Sequence, residues 1–493
     1  MSLAINICSV RANFEIALGA ALQDILTTIA ADKDLFTSID VHFSQSDPLT
    51  APVVITLPHN GLRLRFDGAD QRLRLIEVTD LKKSTLVYKG MELVRSQEIT
   101  SSAAGPAFKR VYQMFGASYP GEYMAPTAGK SEGTYVLSWP GIAFNFPLQQ
   151  SAWSPEKDHV SLLGSQAAGP AAHMAIFEGK TWSDTRKELF VREPTGPRST
   201  TLAARPRDNL PAEIESASVE PGKRVTFERR HPAPPFTIVL NTTTPQDLVT
   251  ELGAPDATFK PTIKETAPAQ TTHKRTGSTT RPRSGSRLHP GSQPSSYSST
   301  NTDSFETDFD SEDADEDPAE RANRAAYWCY FSHGMDILVG PPGDNEPSRI
   351  SNGTNPDLVV KRVVIQGNVP GSAAFNRHRR LRWTLELPPS RASADQLLHS
   401  ESHFESELKP VLLQTYTSAA KDPQTAMGRV INRCWDDPMD SGFFLPDQDR
   451  DEADDGGARG SEAWLGNVRL FQFPGVMFEV LQNGAVAGLY VTT

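Results

Sequence analysis

A cluster of arginines is the strongest chemical feature of the sequence. The run NRHRRLRW places Arg377, Arg379, Arg380 and Arg382 immediately before and within a predicted strand that contains Trp383. Alternation along that strand predicts Arg380 and Arg382 on its outer face, where guanidinium groups could hold phosphate through paired hydrogen bonds. A second interpretation fits equally well, because charged residues also protect an edge strand from aggregation. The four arginines are therefore candidate contacts for an anionic lipid.

Other residue types that carry out chemistry are present, but they form no known catalytic pattern. His333 stands at the start of a predicted strand. It could act as a base or a metal ligand, or it could be an ordinary residue at the end of a strand. The three cysteines, Cys8, Cys329 and Cys434, are too scattered for paired metal ligands or a disulfide framework. The aspartate-rich tract 447–455 lacks the glycine and the closing glutamate of a calcium loop. The sequence therefore predicts a protein that is not an enzyme and uses no metal or cofactor.

The formal net charge of −11 over 493 residues is concentrated in a few segments. Acidic residues crowd at 303–320 and 436–462, and basic residues crowd at 260–289. The rest of the chain is close to neutral, so the total charge identifies no class of partner. Neither the arginine run nor a second basic run, ERRHP at 228–232, has aromatic residues interleaved along it, and we predict no nucleic-acid partner.

Two stretches interrupt the patterned sequence. Residues 261–323 contain almost no aliphatic side chains and cannot bury enough surface to offset chain entropy, which predicts a disordered insertion, basic first and acidic second. Residues 437–462 predict an acidic loop insertion, and residues 192–209 a loop between two halves. These boundaries give an N-terminal half at 1–191 and a C-terminal half made of 210–260, 324–436 and a closing hairpin at 463–493.

The patterned segments predict short helices and antiparallel hairpins. Apolar spacing predicts helices at 18–29, 108–115 and 245–252, the last capped by Thr244. The segment GLRLRFDGADQRLRLIEV predicts a half-buried hairpin whose apolar face opposes a basic face that includes Arg72 and Arg74. Near the end of the chain, the pair Asn483-Gly484 predicts the turn of a hairpin. The fold class is therefore α+β.

A pattern of one glycine followed by alternating apolar residues opens several predicted strands. It occurs at Gly61, Gly141, Gly334 and Gly475, and most of these positions follow a short helix. The recurrence predicts a repeated unit of a short helix and an antiparallel meander. Several unrelated hairpins in one sheet would give the same pattern.

Four long segments resemble one family in the same order along the chain. They are QRLRLIEVTDL at 71–81, MFGASYPGEY at 114–123, YFSHGMDILV at 330–339 and VMFEVLQNGAVAGLYV at 476–491. These segments, with the helix TPQDLVTELGAP, resemble the phagophore assembly factor family, also described as Lin-10-like. The resemblance covers most of the patterned chain from about residue 13, and the long insertions are typical of a fungal-type member.

The resemblance implies a non-enzymatic autophagy regulator. Members of the family form a complex with a β-propeller protein of the breast carcinoma amplified sequence type and associate with phosphoinositides at the phagophore assembly site. The implied location is the cytoplasm, with recruitment to that site and an association with the Golgi. The alternative is a Golgi or endosomal trafficking scaffold that has no part in autophagy. The family supplies no site residues, so the lipid contact at the four arginines rests on the residue pattern alone.

Overall fold

The computed structural model describes residues 4–9, 12–94, 105–126, 131–199, 212–260, 325–342, 358–387, 397–416, 427–432 and 467–493. The predicted insertions at 261–323 and 437–462 lie outside the described residues, as does the predicted loop from residue 200 onward. We call the described chain up to residue 199 the first half and the described chain from residue 212 the second half.

Short helices occur in both halves and end where local sequence signals stop them. The helix at 245–252 has the predicted cap, since Thr244 and Asp247 bond reciprocally to each other's backbone, and Gly253 ends it at φ +81°. The helix at 108–115 also ends as predicted, at Gly116. The predicted helix at 18–29 begins later, at Leu22, and Leu18 lies in the turn before it. The helices are α1 (Leu22–Ala31), α2 (Phe108–Phe115), α3 (His159–Leu163), α4 (Trp182–Glu188), α5 (Pro245–Leu252) and α6 (Lys409–Thr415).

Antiparallel strands make up most of the regular structure. In the first half they are β1 (Ala4–Ser9), β2 (Ala12–Ala17), β3 (Asp40–His42), β4 (Val53–Leu57), β5 (Leu62–Phe66), β6 (Leu73–Val78), β7 (Val87–Tyr88), β8 (Met91–Glu92), β9 (Glu122–Met124), β10 (Glu132–Trp139), β11 (Ile142–Gln149) and β12 (His173–Phe177). In the second half they are β13 (Ile214–Glu220), β14 (Arg224–Arg229), β15 (Phe236–Val239), β16 (Ala257–Phe259), β17 (Ala326–Tyr330), β18 (Met335–Gly340), β19 (Val359–Gln366), β20 (Arg382–Leu385), β21 (Leu398–His399), β22 (Arg429–Asn432), β23 (Asn467–Phe473), β24 (Val476–Val480) and β25 (Val486–Thr492).

Each half contains an eight-stranded sheet. The first sheet has the order β3-β4-β5-β6-β12-β11-β10-β9 and the second the order β16-β17-β18-β19-β25-β24-β23-β22. The second half adds a five-stranded sheet, β15-β14-β13-β20-β21, in which β13 and β20 run parallel. Helices mixed with largely antiparallel sheets confirm the α+β class.

The two eight-stranded sheets connect their strands in the same order. Gly61 and Gly334 each close a four-residue loop between the second and third strands, while Gly141 and Gly475 each close a two-residue Pro-Gly loop between the sixth and seventh. Gly475 requires the absence of a side chain, because a Cβ there would lie 2.3 Å from the backbone nitrogen of Gly222. The correspondence relates whole sheets, and the smaller helix-plus-meander unit stays a prediction.

Apolar residues form one core in each half. In the first half, α1 and α2 pack against one face of the first sheet, and in the second half α5 and α6 pack with the second and five-stranded sheets. The opposite face of the first sheet is partly covered at Leu75, Val136 and Phe177, where Trp182 of α4 packs. Phe375 of the second half packs against the core of the first half. The two halves are therefore joined by apolar packing as well as by polar contacts.

The predicted hairpin at 61–78 is present as β5 and β6, but the prediction that its basic face is exposed is wrong on one strand. On β5, Arg63 and Arg65 are half-exposed and pair with Glu77. Beside and on β6, Arg72 and Arg74 are only 4% and 8% exposed. Alternation within a hairpin cannot reveal that another segment covers its second face.

The cap of α5 provides a test of these local signals. Replacing Thr244 by Ala removes the side-chain acceptor for the backbone N–H of Asp247, and we expect a loss of about 1 kcal/mol in the free energy of unfolding. Thr250→Ala is the control, because Thr250 lies inside the same helix and alanine favours helix there. Urea denaturation of both variants measures the difference, and equal losses would contradict a specific capping role.

Candidate functional site

The four candidate arginines do not form one exposed strip. Arg379 and Arg380 are 4% and 2% exposed, while Arg377 is half-buried and the side chain of Arg382 is 43% exposed. The prediction that Arg380 lies on an outer strand face is wrong. The strand β20 begins only at Arg382. Residues 377–380 belong to the connection between β19 and β20, which lies where the two halves meet. Strand alternation therefore does not apply to them.

Arg379 and Arg380 are bound into the interior. Arg379 donates a 2.7 Å hydrogen bond to the carbonyl oxygen of Ile214, and a terminal nitrogen of Arg380 lies 3.5 Å from a carboxylate oxygen of Glu401. Burial, followed by the charge of Arg198, lowers the pKa of Arg379 to about 9, and burial also lowers the pKa of Arg380. Both guanidinium groups are enclosed in this conformation and cannot reach a lipid head group.

Arg382 is half-exposed but already paired. Its Nε lies 2.9 Å from Oε1 of Glu401, and a terminal nitrogen lies 3.3 Å from Oε2, so the pair is bidentate. Glu401 also accepts hydrogen bonds from His399 at 3.0 Å and from the Ser400 hydroxyl at 2.8 Å. Burial favours the neutral acid, but the hydrogen bond of Arg382 and the charge of Arg380 outweigh it and lower the pKa of Glu401. Glu401 therefore remains an anion that holds both arginines.

Two further buried arginines hold the segment that leaves the first half, residues 192–199, which we call the linker segment. Arg72 donates to the carbonyl oxygens of Gly19 at 2.9 Å and Pro194 at 3.3 Å, and also to that of Gly196. Arg74 pairs with Asp67 at 2.6 Å and donates to the carbonyl oxygen of Arg192. Burial, followed by the charge of Arg198, lowers the pKa of Arg72 to about 10.

The linker segment is held by the second half as well. Arg230 donates to the carbonyl oxygens of Thr195 and, at 3.0 Å, Gly196. Glu213 accepts a 2.8 Å hydrogen bond from the backbone of Arg198, whose side chain pairs with Asp70 at 2.9 Å. Arg72 and Arg74 of the first half and Arg230 of the second half therefore bind the backbone of the linker segment from opposite sides. These bonds fix the first half to the second.

A pair of side-chain amides also joins the halves directly. Gln71 donates to the backbone carbonyl of Asn368 at 2.8 Å, and the Asn368 amide donates back to the Gln71 side-chain oxygen at 2.8 Å. Gln71 and Asn368 both have left-handed backbones, with φ of 51° and 43°. Asn368 further accepts a 2.7 Å hydrogen bond from the backbone of Asn376. We call this amide pair, the linker segment and the buried arginines around it the junction.

A second polar cluster lies in the second half. Asp336 is 2.7 Å from Nε2 of His378, accepts a 2.8 Å hydrogen bond from Gln366, and accepts another from the Cys329 thiol. Burial and the negative charge of Asp336 raise the pKa of Cys329. A nucleophilic cysteine needs the opposite shift and a basic partner, so these residue types meet in an arrangement that does not activate the thiol.

His333 lies next to this cluster and is 3% exposed. Burial, followed by the charge of Arg379, lowers the pKa of His333 to about 3, so the ring stays neutral. Among the described residues, no three His, Cys, Asp or Glu side chains meet as a metal site would require. Within the same residues, no helix is long and apolar enough to span a membrane.

A cavity of about 220 Å³ opens beside the linker segment. Leu18 and Leu73 contribute apolar surface, and the charged residues around them carry both signs. The mixture favours neither an anionic nor a cationic ligand. The charged lining residues are Arg74, Glu178, Lys180, Asp184, Glu188, Arg192 and Glu193.

The fold and the junction define an α+β protein whose two β-sheet halves are held together by polar contacts and apolar packing. A family model described as phagosome assembly factor 1 matches residues 12–276, more than half of the chain. The chain belongs to this family of assembly factors, which confirms the resemblance in the sequence and indicates a phagosome- or autophagy-related role.

Individual relatives agree with this assignment. A PHAF1 protein of Arabidopsis thaliana is 24% identical over 389 residues, which cover 77% of this chain and 74% of the plant protein. A PHAF1 protein of Caenorhabditis elegans is 31% identical over 134 residues, which cover 27% of this chain and 29% of its own. A PHAF1 protein of Drosophila melanogaster is 28% identical over 175 residues, or 35% and 37% of the two chains. No solved structure matches the chain.

The pair Asp70–Arg198 tests the junction by its pH dependence. Burial favours the neutral acid, but the charge and hydrogen bond of Arg198 prevail and hold the pKa of Asp70 below its ordinary value of 3.8. The pair therefore contributes its full stability above about pH 4 and loses it as the pH falls through the folded-state pKa. We expect Asp70→Asn to lose about 3 kcal/mol of unfolding free energy at pH 7.

Denaturation of Asp70→Asn and the unchanged protein between pH 3 and 7 measures this effect, and the difference should shrink on acidification. Glu77→Gln is the matched control, because Glu77 pairs with half-exposed arginines and should cost under about 1 kcal/mol. A pH-independent difference for Asp70→Asn would show that the ion pair is not its source.

Proposed function

We propose that this protein is a non-enzymatic adaptor in autophagosome formation. In this proposal it forms a complex with a β-propeller protein of the breast carcinoma amplified sequence type and associates with phosphoinositides at the phagophore assembly site. The observation that carries the proposal is membership of the phagosome assembly factor 1 family. The protein would work in the cytoplasm and be recruited to the forming membrane.

The junction supports an adaptor rather than a flexible tether. The hydrogen bonds of Arg230 and Glu213 to the linker segment, together with the reciprocal amide pair between Gln71 and Asn368, fix the relative position of the two sheets. An adaptor benefits from such rigidity, because binding surfaces on a fixed frame lose less entropy when a partner docks. The Cys329 cluster adds support for a role without catalysis, since its thiol is bonded to a carboxylate.

Membrane attachment by the chain alone would be weak in this proposal. Of the four candidate arginines, Arg377 and Arg382 retain partial exposure, and a cation near an anionic surface contributes about 1 kcal/mol. Two such contacts give a salt-sensitive attachment. A membrane-binding partner would strengthen it by raising the effective concentration of the second contact.

Affinity purification of the full chain from its native organism, before and after starvation, tests the adaptor role. We expect a β-propeller protein in the eluate and colocalisation of the chain with autophagy markers. Absence of both would refute the proposal. Normal autophagic flux together with mis-sorted cargo in a deletion strain would instead identify a Golgi or endosomal trafficking scaffold.

Liposome flotation tests the lipid contact. In the complex with its partner, the double variant Arg377→Gln/Arg382→Gln should bind phosphoinositide vesicles up to about 30-fold more weakly, since two cations are lost. Glutamine is used because a glutamate at position 382 would face Glu401. Arg379 and Arg380 stay unchanged, because replacing a buried paired charge destabilises the fold.

The control is the double variant Arg63→Gln/Arg186→Gln, whose side chains are 41% and 43% exposed and also paired with glutamate. It removes the same charge from the first half. Equal losses in both variants would indicate non-specific attraction, and no loss in either would remove Arg377 and Arg382 from the lipid contact.

A further inference from the structure

The strand β9 forms one edge of the first sheet. It pairs with β10 through the register Tyr123↔Tyr135, and no other described strand adjoins it. One row of its backbone N–H and C=O groups therefore has no strand partner among the described residues. Such an edge can accept an extended chain as an additional strand.

Large apolar side chains are exposed at the same edge. Tyr119, just before β9, is 80% exposed, and Met124 at its end is 44% exposed. Trp153 is 39% exposed and its ring stacks on Tyr123, with centroids 4.7 Å apart and planes 16° apart. Single exposed apolar residues are ordinary, but Met124 and Trp153 leave apolar surface on the two opposite faces of one unpaired edge strand, because neighbouring strand residues point to opposite faces, and an added strand would cover both faces. We call these side chains, with β9, the β9 edge patch.

The patch has acidic surroundings. Glu122 lies on β9 and pairs with Arg186 at 3.1 Å, and Glu132 is exposed at the start of β10. Burial raises the pKa of Tyr135, and the charge of Asp158 adds to the rise, which puts that carboxylate close to the strand pair. Glu156 and Lys157, both exposed, precede Asp158 in the chain. Among the described residues of this region the carboxylates Glu122, Glu132, Glu156 and Asp158 outnumber the cations Arg186 and Lys157, and aromatic faces also attract cations.

We propose that the β9 edge patch binds an extended segment of a partner protein that carries lysine or arginine between apolar residues. The segment adds to the first sheet beside β9, where its backbone pairs with the free edge. Because its side chains alternate between the two faces, its apolar side chains cover Met124 and Tyr119, while its cation lies near the Trp153 ring and Asp158. This site is separate from the candidate lipid contact and does not depend on it.

A displayed library of short random peptides, panned against the full chain, provides the probe. We expect enriched peptides to alternate apolar residues with lysine or arginine. Tyr119→Ala/Trp153→Ala should weaken them at least about tenfold, as expected for aromatic anchors at an interface. Hydrogen exchange should slow at residues 122–124 when a synthetic copy of an enriched peptide is added.

The matched control is Met427→Ala/Val430→Ala on and beside β22, which occupies the corresponding edge of the second sheet. Met427 and Val430 are 73% and 62% exposed, so this variant also removes exposed apolar surface from a sheet edge. Two further variants keep the test valid if the double variant misfolds. Tyr119→Ala alone changes a ring that is 80% exposed, and Glu132→Lys should weaken the binding of cationic peptides specifically.

The proposal is overturned if no peptide is enriched, or if enriched peptides are acidic. Unchanged affinity in Tyr119→Ala/Trp153→Ala, or protection from exchange at β22 instead of β9, would overturn it as well. Loss of binding in the β9 variants with the β22 control intact supports it.

Discussion

The structure depends on keeping arginines charged away from water. Arg72, Arg74, Arg198, Arg379 and Arg380 are buried where an isolated charge would be costly, so each needs acceptors that the protein itself supplies. Some acceptors are carboxylates, and others are backbone carbonyls of the linker segment. Arg72 and Arg74 from the first half and Arg230 from the second half donate to the same linker segment, so its carbonyl groups gain all these donors only when the halves meet. This requirement makes the relative position of the two sheets a matter of charge compensation as much as of apolar contact.

This constraint separates two kinds of arginine that look alike in the sequence. Arg379 and Arg380 are buried in the interior. Arg382 is half-exposed and shares the carboxylate of Glu401 with Arg380. A guanidinium group suits the interior role because it remains charged and offers several donors in a fixed plane. The same chemistry suits phosphate binding, which explains why residue type alone could not distinguish the two roles.

Local signals predicted the local structure well. The helix α5 follows from Thr244, Pro245 and Gly253, all within a few residues, and the turn between β24 and β25 follows from the pair Asn483-Gly484. The burial of Arg72 could not be predicted, because its acceptors lie 53 to 124 residues away along the chain. Likewise, alternation placed Arg380 outside because nothing near it in sequence announces the β19–β20 connection. Periodicity describes one element at a time, and the junction is a property of several.

The long separation of the joined residues has a consequence for synthesis. Gln71 and Asn368 are 297 residues apart, and the tip of the β24–β25 hairpin bonds to Gln45 over 438 residues through Asn483. A ribosome must therefore make at least 368 residues before Gln71 can meet Asn368, and nearly the whole chain before Gln45 can meet Asn483. Until then, the surface that later receives Phe375 faces solvent. A chain that stops early would expose features by which quality-control proteins recognise incomplete products, so truncated copies should be removed rather than accumulate.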